Sequence, residues 1–182
     1  YDTRVGLGLA FNYEHPWFGT REIRQAFAFA LDRERMLENS GYDTDWVEPA
    51  FDTGFLVGED LHADYFGEGF LGQLTTYGTD TERAAEFLES AGWSRDDGAW
   101  YDSNDERASL ELTISQTPGP WANMVSNAAQ QLTEFGIEAE ANAQNVQIYY
   151  GVTMRNVTYD MAGWIVGEGR PMPYIPLRTL WE

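Results

Sequence analysis

Apolar residues recur at every second position from Val5 through Leu7 and Leu9 to Phe11, while Gly6, Gly8, Ala10 and Asn12 fill the alternate places. That period of two predicts a strand ending at Asn12, with a neighbour packed closely on its small-residue face. Pro16 and Gly19 mark a turn across His15–Thr20. Thr20 can then cap a helix running to about Asn39, with Gly41 as its stop. Ile23, Ala26, Phe27, Ala30, Leu31 and Leu37 fall on one stripe of that helix, and Phe29 with Met36 on a second. A helix apolar on two sides belongs between two layers.

Between Gly41 and Tyr77, Pro49, repeated glycines and scattered aromatics interrupt every candidate period, which predicts a long connection pinned by aromatic side chains. The pattern resumes at Asp80, or at Thr79 with Glu82 as a capping box, with Ala84, Phe87, Leu88 and Ala91 inward and Gly92 at the helix end. Trp93–Tyr101 turns at Asp96-Asp97-Gly98. Leu110, Leu112 and Ile114 alternate with Glu111, Thr113 and Ser115, predicting a strand with one wet face; Pro118-Gly119-Pro120 breaks it. Trp121, Met124, Val125, Ala128, Leu132 and Phe135 share helical spacing up to Gly136. Ile137, Ala139, Ala141 and Ala143 then alternate with Glu138, Glu140, Asn142 and Gln144. Strand, helix and strand in this order predict a right-handed βαβ unit with parallel strands. A short helix over Val146–Asn156, a last strand over Tyr159–Ile165 and a Gly/Pro loop at Gly167–Pro176 complete an α/β reading, a small sheet with helices on it. One domain over 1–182 is expected, and because the chain starts and stops within a pattern, it reads as a fragment of a longer protein.

Composition narrows the function. The chain has 182 residues, 30 acids against 11 cations, and a formal net charge of −19. Every cation is arginine, and lysine is absent. With 43% hydrophobic and 15% aromatic residues, this acidity does not read as disorder. It resembles the surfaces of proteins from salt-loving archaea, and it disfavours nucleic acid or an anionic membrane as partner, a repulsion that molar salt weakens. The absence of cysteine removes disulfides and thiolate chemistry. No apolar run is long enough to span a bilayer, and the first residues lack the pattern of a signal peptide, so any membrane attachment is expected through an anchor outside this chain.

Several motifs dissolve on inspection. Gly67-Glu68-Gly69-Phe70-Leu71-Gly72 matches a dinucleotide fingerprint, but no strand precedes it and Glu68 would face the pyrophosphate. Asp102-Ser103-Asn104-Asp105 opens like a calcium loop, yet Arg107 stands where glycine is required and Thr113 where the bidentate acid belongs, which predicts a polar hairpin turn. Asp96 and Asp97 lie on a turn, and His15 and His62 have no partner at a catalytic or metal-binding spacing. No catalytic residue, metal or cofactor is expected. Asn156-Val157-Thr158 is a glycosylation acceptor triplet, in keeping with a cell-surface protein.

The order of elements carries a resemblance. Phe11-Asn12, the Pro16/Phe18 turn, Arg24-Gln25-Ala26 through Ala30-Leu31-Asp32-Arg33, and Ala84 to Leu88 followed by Ala91-Gly92-Trp93 occur in sequence. Asp97-Gly98-Ala99-Trp100, Gly136-Ile137-Glu138, and Tyr159-Asp160-Met161 leading to Gly163-Trp164 follow them. Together they resemble the large C-terminal lobe of the family 5 extracellular solute-binding proteins, the dipeptide, oligopeptide and nickel receptors of ABC importers. The resemblance implies one lobe of a type II periplasmic-binding-protein-like fold. It also implies a receptor at the cell surface, exported and lipid-anchored, that closes with an N-terminal lobe on a peptide or small solute and delivers it to permease subunits.

In the family's peptide receptors an aspartate after the Gly-Trp strand faces the ligand's amino terminus. Here Gly163-Trp164-Ile165-Val166 leads to Gly167, with Glu168 one residue on and Arg170 nearby. That departure leaves room for a solute other than a peptide with a free α-amine. The expected ligand-binding residues are Asn12, Gln147, Tyr149, Arg155 as an anion partner, Trp164, Glu168 and Arg170. Arg24 and Asp32 are expected to be structural, with Arg35 in reach of Asp32 along the helix. Abundant tryptophan, tyrosine and carboxylate motivate an alternative, a glycan-binding or glycan-hydrolysing surface domain.

Overall fold

Strand β4, Ser109–Ser115, sits inside a four-stranded sheet of order β1-β6-β4-β5, flanked by β1 (Gly6–Phe11), β6 (Met161–Val166) and β5 (Glu138–Gln144). The computed structural model describes residues 6–45, 47, 49, 69 and 75–166. The expected long connection at 41–77, His62, the 67–72 motif, Glu168, Arg170 and the 167–176 loop thus lie largely or wholly outside the described residues. Packing divides the chain into two units. One comprises Leu9–Pro49 and Gly78–Gly163 and holds nearly all the described residues; the other comprises Tyr1–Gly8, Ala50–Tyr77 and Trp164–Glu182.

The βαβ unit forms as its pattern predicts. β4 and β5 are parallel and paired from Ser109↔Glu138 to Ser115↔Gln144, and β4 also pairs in parallel with β6 through Leu112↔Met161. The connecting helix, Gly119–Phe135, ends at Gly136, whose φ of 110° is open to glycine at little cost. A tertiary contact tightens that requirement, because a Cβ at Gly136 would run into the Gly98 carbonyl and stand 3.2 Å from Trp100. Gly98 closes a two-residue hairpin between β2 (Ser94–Asp96) and β3 (Ala99–Tyr101), with positive φ at Asp97 and Gly98 as a type I′ turn demands. The ribbon docks on the helix end through Trp100, whose backbone N–H donates to Gly136 and whose indole donates to Phe135. Asp102 accepts from Asn104, Glu106 and the Trp17 indole, so the polar turn expected there is built on a buried carboxylate. Burial raises its pKa, but these donors outweigh burial and hold it below the usual aspartate range.

Two expectations are corrected. The single helix from Thr20 to Asn39 is two, α1 (Arg21–Ala30) and α2 (Arg33–Glu38), broken at Leu31 and Asp32, both in extended conformation. The apolar stripe continues across the break because both helices face one core, with Phe27, Phe29, Leu31 and Leu37 all buried. The broken backbone is satisfied from outside. Gln131 accepts the Asp32 N–H at 2.7 Å and donates to its carbonyl at 3.0 Å, while the Phe29 carbonyl accepts from Asp80 at 2.9 Å. Asp32 caps α2 by accepting the Arg35 N–H, and the Arg35 guanidinium turns away to a two-pronged pair with Glu134 at 2.6 and 2.8 Å. Arg35 therefore does not pair with Asp32 along a helix. Arg24 is structural, donating to the Phe18 carbonyl. Asp80, rather than Thr79, caps the third helix, α3 (Thr81–Ser90), and Phe87 of α3 stacks on Phe29 at 5.8 Å.

The second correction concerns β4, whose expected wet face is covered: Thr113 and Ser115 are as buried as Leu112 and Ile114. A strand flanked on both sides lies deep in the layer, and the two hydroxyls stay bonded by donating to Glu111 and the Thr117 carbonyl. On β5, Ala141 and Ala143 are exposed. Among the described strands, β5 is the last on its side of the sheet, and its alanines add little to the core.

Candidate functional site

In open α/β sheets, solutes gather outside the carboxyl ends of the parallel strands, where chain leaves the sheet and its polar groups are unpaired. β4 and β5 end side by side at Ser115 and Gln144, and the Gln116 N–H donates to the Gln144 carbonyl at 2.8 Å, extending the ladder by one bond. Ser115 folds the chain over by donating to the Thr117 carbonyl and accepting the Thr117 N–H. Beyond β5, Asn145 accepts the Gln147 N–H at 2.9 Å and starts a short helical segment. That segment comprises Val146–Ile148, a π-helical turn Tyr149–Thr153 and Met154–Asn156, confirming the helix expected over Val146–Asn156. Thr153 ties it back by donating to the Gln144 side chain at 2.6 Å. Gln116, Thr117, Asn145 and Gln147 are exposed at this edge, as are Val146, Ile148 and Tyr150.

The sequence-expected residues are distributed around this edge and away from it. Gln147 stands on it. Tyr149 is fully buried beside it, and its hydroxyl donates to the Gly163 carbonyl. Burial, with the neighbouring Tyr150 and Tyr159, pushes that phenol well above the usual tyrosine range, so it acts as a neutral donor. Asn12 belongs to the opposite edge. Its N–H donates to the Asp160 carbonyl at 3.0 Å, its amide donates to the Tyr159 carbonyl at 2.8 Å, and its Oδ1 accepts from Glu14. Its polar groups therefore clamp the end of β1 to the residues that precede β6. Asp160 completes the clamp by accepting the Glu111 N–H at 2.9 Å. His15 Nε2 lies 3.8 Å from the same carboxylate. Arg155 is exposed near the end of the short helical segment, and Trp164 is half-buried on β6.

Gln116, Thr117 and Asn145 escaped the sequence reading. The signal that could have found them was positional, since each immediately follows a predicted strand. A separate depression of about 420 Å³ opens where α1 meets α2, lined by Asp32, Arg35, Glu82, Arg95, Gln131 and Glu134. Arg35 and Glu134 neutralise each other there, each stabilising the other's charged form by a hydrogen bond. Among the described residues, no three His, Cys, Asp or Glu side chains group as a metal site, and no helix is long and apolar enough to cross a membrane.

The fold recurs among solved structures. The oligopeptide-binding protein AppA from Bacillus subtilis, in complex with a nonapeptide, superposes with a TM-score of 0.70 at 18% identity over 93% of this chain and 33% of that one. The mannohexaose-bound periplasmic oligopeptide-binding protein of Thermotoga maritima gives 0.70 at 18% identity over 87% of this chain and 29% of that one. NikA from Brucella suis, in complex with Fe(III)-EDTA, gives 0.63 at 19% identity, over 90% and 32%. The chain thus spans about a third of the length of these relatives. No curated protein sequence matches it. The fold is that of periplasmic binding proteins. With the family model for bacterial extracellular solute-binding proteins, family 5, middle region, matching residues 2–182, the chain belongs to that family.

Proposed function

We propose that this chain is the C-terminal large lobe of a receptor that captures a peptide or other small solute at the cell surface and hands it to the permease of an ABC importer. The observation that carries this reading is the carboxyl edge of β4 and β5. Gln116 and Gln147 present side-chain amides there that make no hydrogen bond among the described residues, on a turn and a helix start held by Ser115, Asn145 and Thr153. Fixed backbone with unspent donors and acceptors suits solute capture, and capture requires neither a nucleophile nor an acid of shifted pKa. An N-terminal lobe would supply the opposing wall, and an anchor outside this chain would hold the receptor to the membrane. The lysine-free acidic composition fits an exported protein of a salt-loving archaeon.

Calorimetry on the full-length protein at molar salt, with the compound that mass spectrometry finds co-purifying, tests the reading. The expected result is saturable one-to-one binding that this chain alone reproduces only weakly, since half the contacts and the closing motion are gone. Submicromolar binding by the isolated chain would contradict the two-lobed arrangement, and a full-length protein that binds no solute would contradict the receptor reading.

A further inference from the structure

We infer that Asn156 is an N-glycosylation site, and that the glycan it carries lies over the apolar side chains of Val152 and Val157. The inference goes beyond the receptor reading above and shares with it only the passage of this chain to the cell surface. Asn156-Val157-Thr158 is the one Asn-X-Ser/Thr triplet in the sequence, although the chain has eight asparagines. Such a triplet arises by chance as well, so its value lies in how the fold presents it.

Asn156 ends the short helical segment, and Val157 beyond it is left-handed, with φ 53° and ψ 43°. Two bonds close this corner, from the Val157 N–H to the Met154 carbonyl at 3.4 Å and from the Thr158 N–H to the Thr153 carbonyl at 3.1 Å. They are the pair that defines a Schellman helix end, whose left-handed position favours glycine or asparagine. A β-branched residue there is strained. Stability alone would place asparagine at 157; here it stands one place earlier. The Asn12 amide adds a bond to the Val157 carbonyl at 3.4 Å. With the corner closed by backbone and by Asn12, the triplet's own polar groups are not used. The Asn156 carboxamide and the Thr158 hydroxyl make no hydrogen bond among the described residues, and both residues are exposed.

The corner lies away from the candidate solute edge. The segment starts at Asn145, where β5 ends, and reaches Val157 beside Asn12, at the edge where β6 begins. Val152 stands four residues before Asn156, a spacing that brings helical side chains together. Val152 and Val157 are 51% and 41% exposed, and five of the six large apolar side chains exposed among the described residues fall between Val146 and Val157. A glycan is bulky and solubilising, and at Asn156 it covers the end of this apolar strip.

The donor is a lipid-linked oligosaccharide phosphate. The Asn156 carboxamide nitrogen attacks its anomeric carbon. A C–N bond forms as the bond from that carbon to the phosphate oxygen breaks; the lipid phosphate leaves with the bonding electrons, and the amide proton passes to a base of the transferase. Nothing is oxidised or reduced. The Thr158 hydroxyl, free to donate and to accept, is the group by which a transferase distinguishes this asparagine from the others.

The experiment is mass spectrometry of the peptide that holds Asn156, from full-length protein purified from its native cells. A mass increase in whole sugar units on Asn156 is expected, absent from Asn156→Gln and Thr158→Ala and retained by Thr158→Ser. Asn156→Gln is also expected to bind at least about twofold more of a hydrophobic dye, with the melting temperature checked to show that the fold is intact. An unmodified peptide in protein exposed at the cell surface overturns the site, and the receptor reading stands if that protein binds its solute. Sugar that persists in Thr158→Ala overturns transfer through the triplet. Equal dye binding by parent and Asn156→Gln overturns the cover over Val152 and Val157. A glycosylated protein that binds no solute overturns the receptor reading and leaves the site standing, whereas protein found only inside the cell overturns both.

Discussion

The Tyr149 hydroxyl donates to the Gly163 carbonyl from a fully buried position, joining the π-helical turn after β5 to the middle of β6. That bond gives this tyrosine of the short helical segment a structural role. Tyr149→Phe should therefore lower stability by about 1–3 kcal/mol, the cost of leaving a buried carbonyl unpaired. Denaturant unfolding at neutral pH checks this. Unchanged stability with lost solute binding in the full-length protein would instead assign Tyr149 to recognition.

Gly163 faces Ile114 and Val125 with no room to spare, since a Cβ there would run into Ile114 and stand 3.0 Å from the Val125 methyl. Gly163→Ala should cost about 1–3 kcal/mol by overpacking. Pairing it with Ile114→Val should recover part of the loss. A double-mutant cycle by chemical unfolding reads the coupling, and strict additivity would show that the two side chains do not compete for this space.

His15 makes stability fall on mild acidification. Burial disfavours its charged ring and lowers its pKa from the usual 6.5, with the Asp160 carboxylate opposing that shift. Below 6.5 the unfolded chain takes up a proton that the folded chain resists, so the contribution is complete above that value. It is lost progressively as the pH drops through the folded pKa, and is constant below it. His15→Gln should flatten stability against pH just below neutrality while leaving the steeper loss at carboxylate pH in place. A curve as steep in the variant as in the parent would disprove the assignment.

Salt should stabilise the chain. With 30 acids against 11 arginines, folding concentrates repulsion that the Debye length of about 10 Å at 0.1 M transmits and that of about 3 Å at 1 M does not. The melting temperature should climb steadily over that range with potassium chloride. A melting temperature independent of salt would contradict it.

Where local pattern and tertiary demand agreed, the sequence was readable. Period two in 109–115 and 138–144, helical spacing from Trp121 to Phe135 and glycine at 136 produced the βαβ unit, because each element needs only its own residues to favour it. Asp97-Gly98 likewise specified its turn through backbone sterics alone. The break at Leu31–Asp32 was not readable that way. Its stripe continues in helical register, and the freed backbone groups are satisfied by Gln131 and Asp80, residues remote in sequence.

The candidate site shows the same division. The residue types at 116, 117, 145 and 147 are properties of the sequence by itself, as are the acidity and the family resemblance. That Gln116 and Asn145 follow paired strand ends, while Asn12 clamps the opposite edge and Tyr149 turns inward, was decided only by the parallel register of β4, β5 and β6. The physical reason is that an amide on a strand end is equally competent as a cap, a clamp or a ligand contact. Only the partners that tertiary packing brings within hydrogen-bond distance settle which of these it becomes.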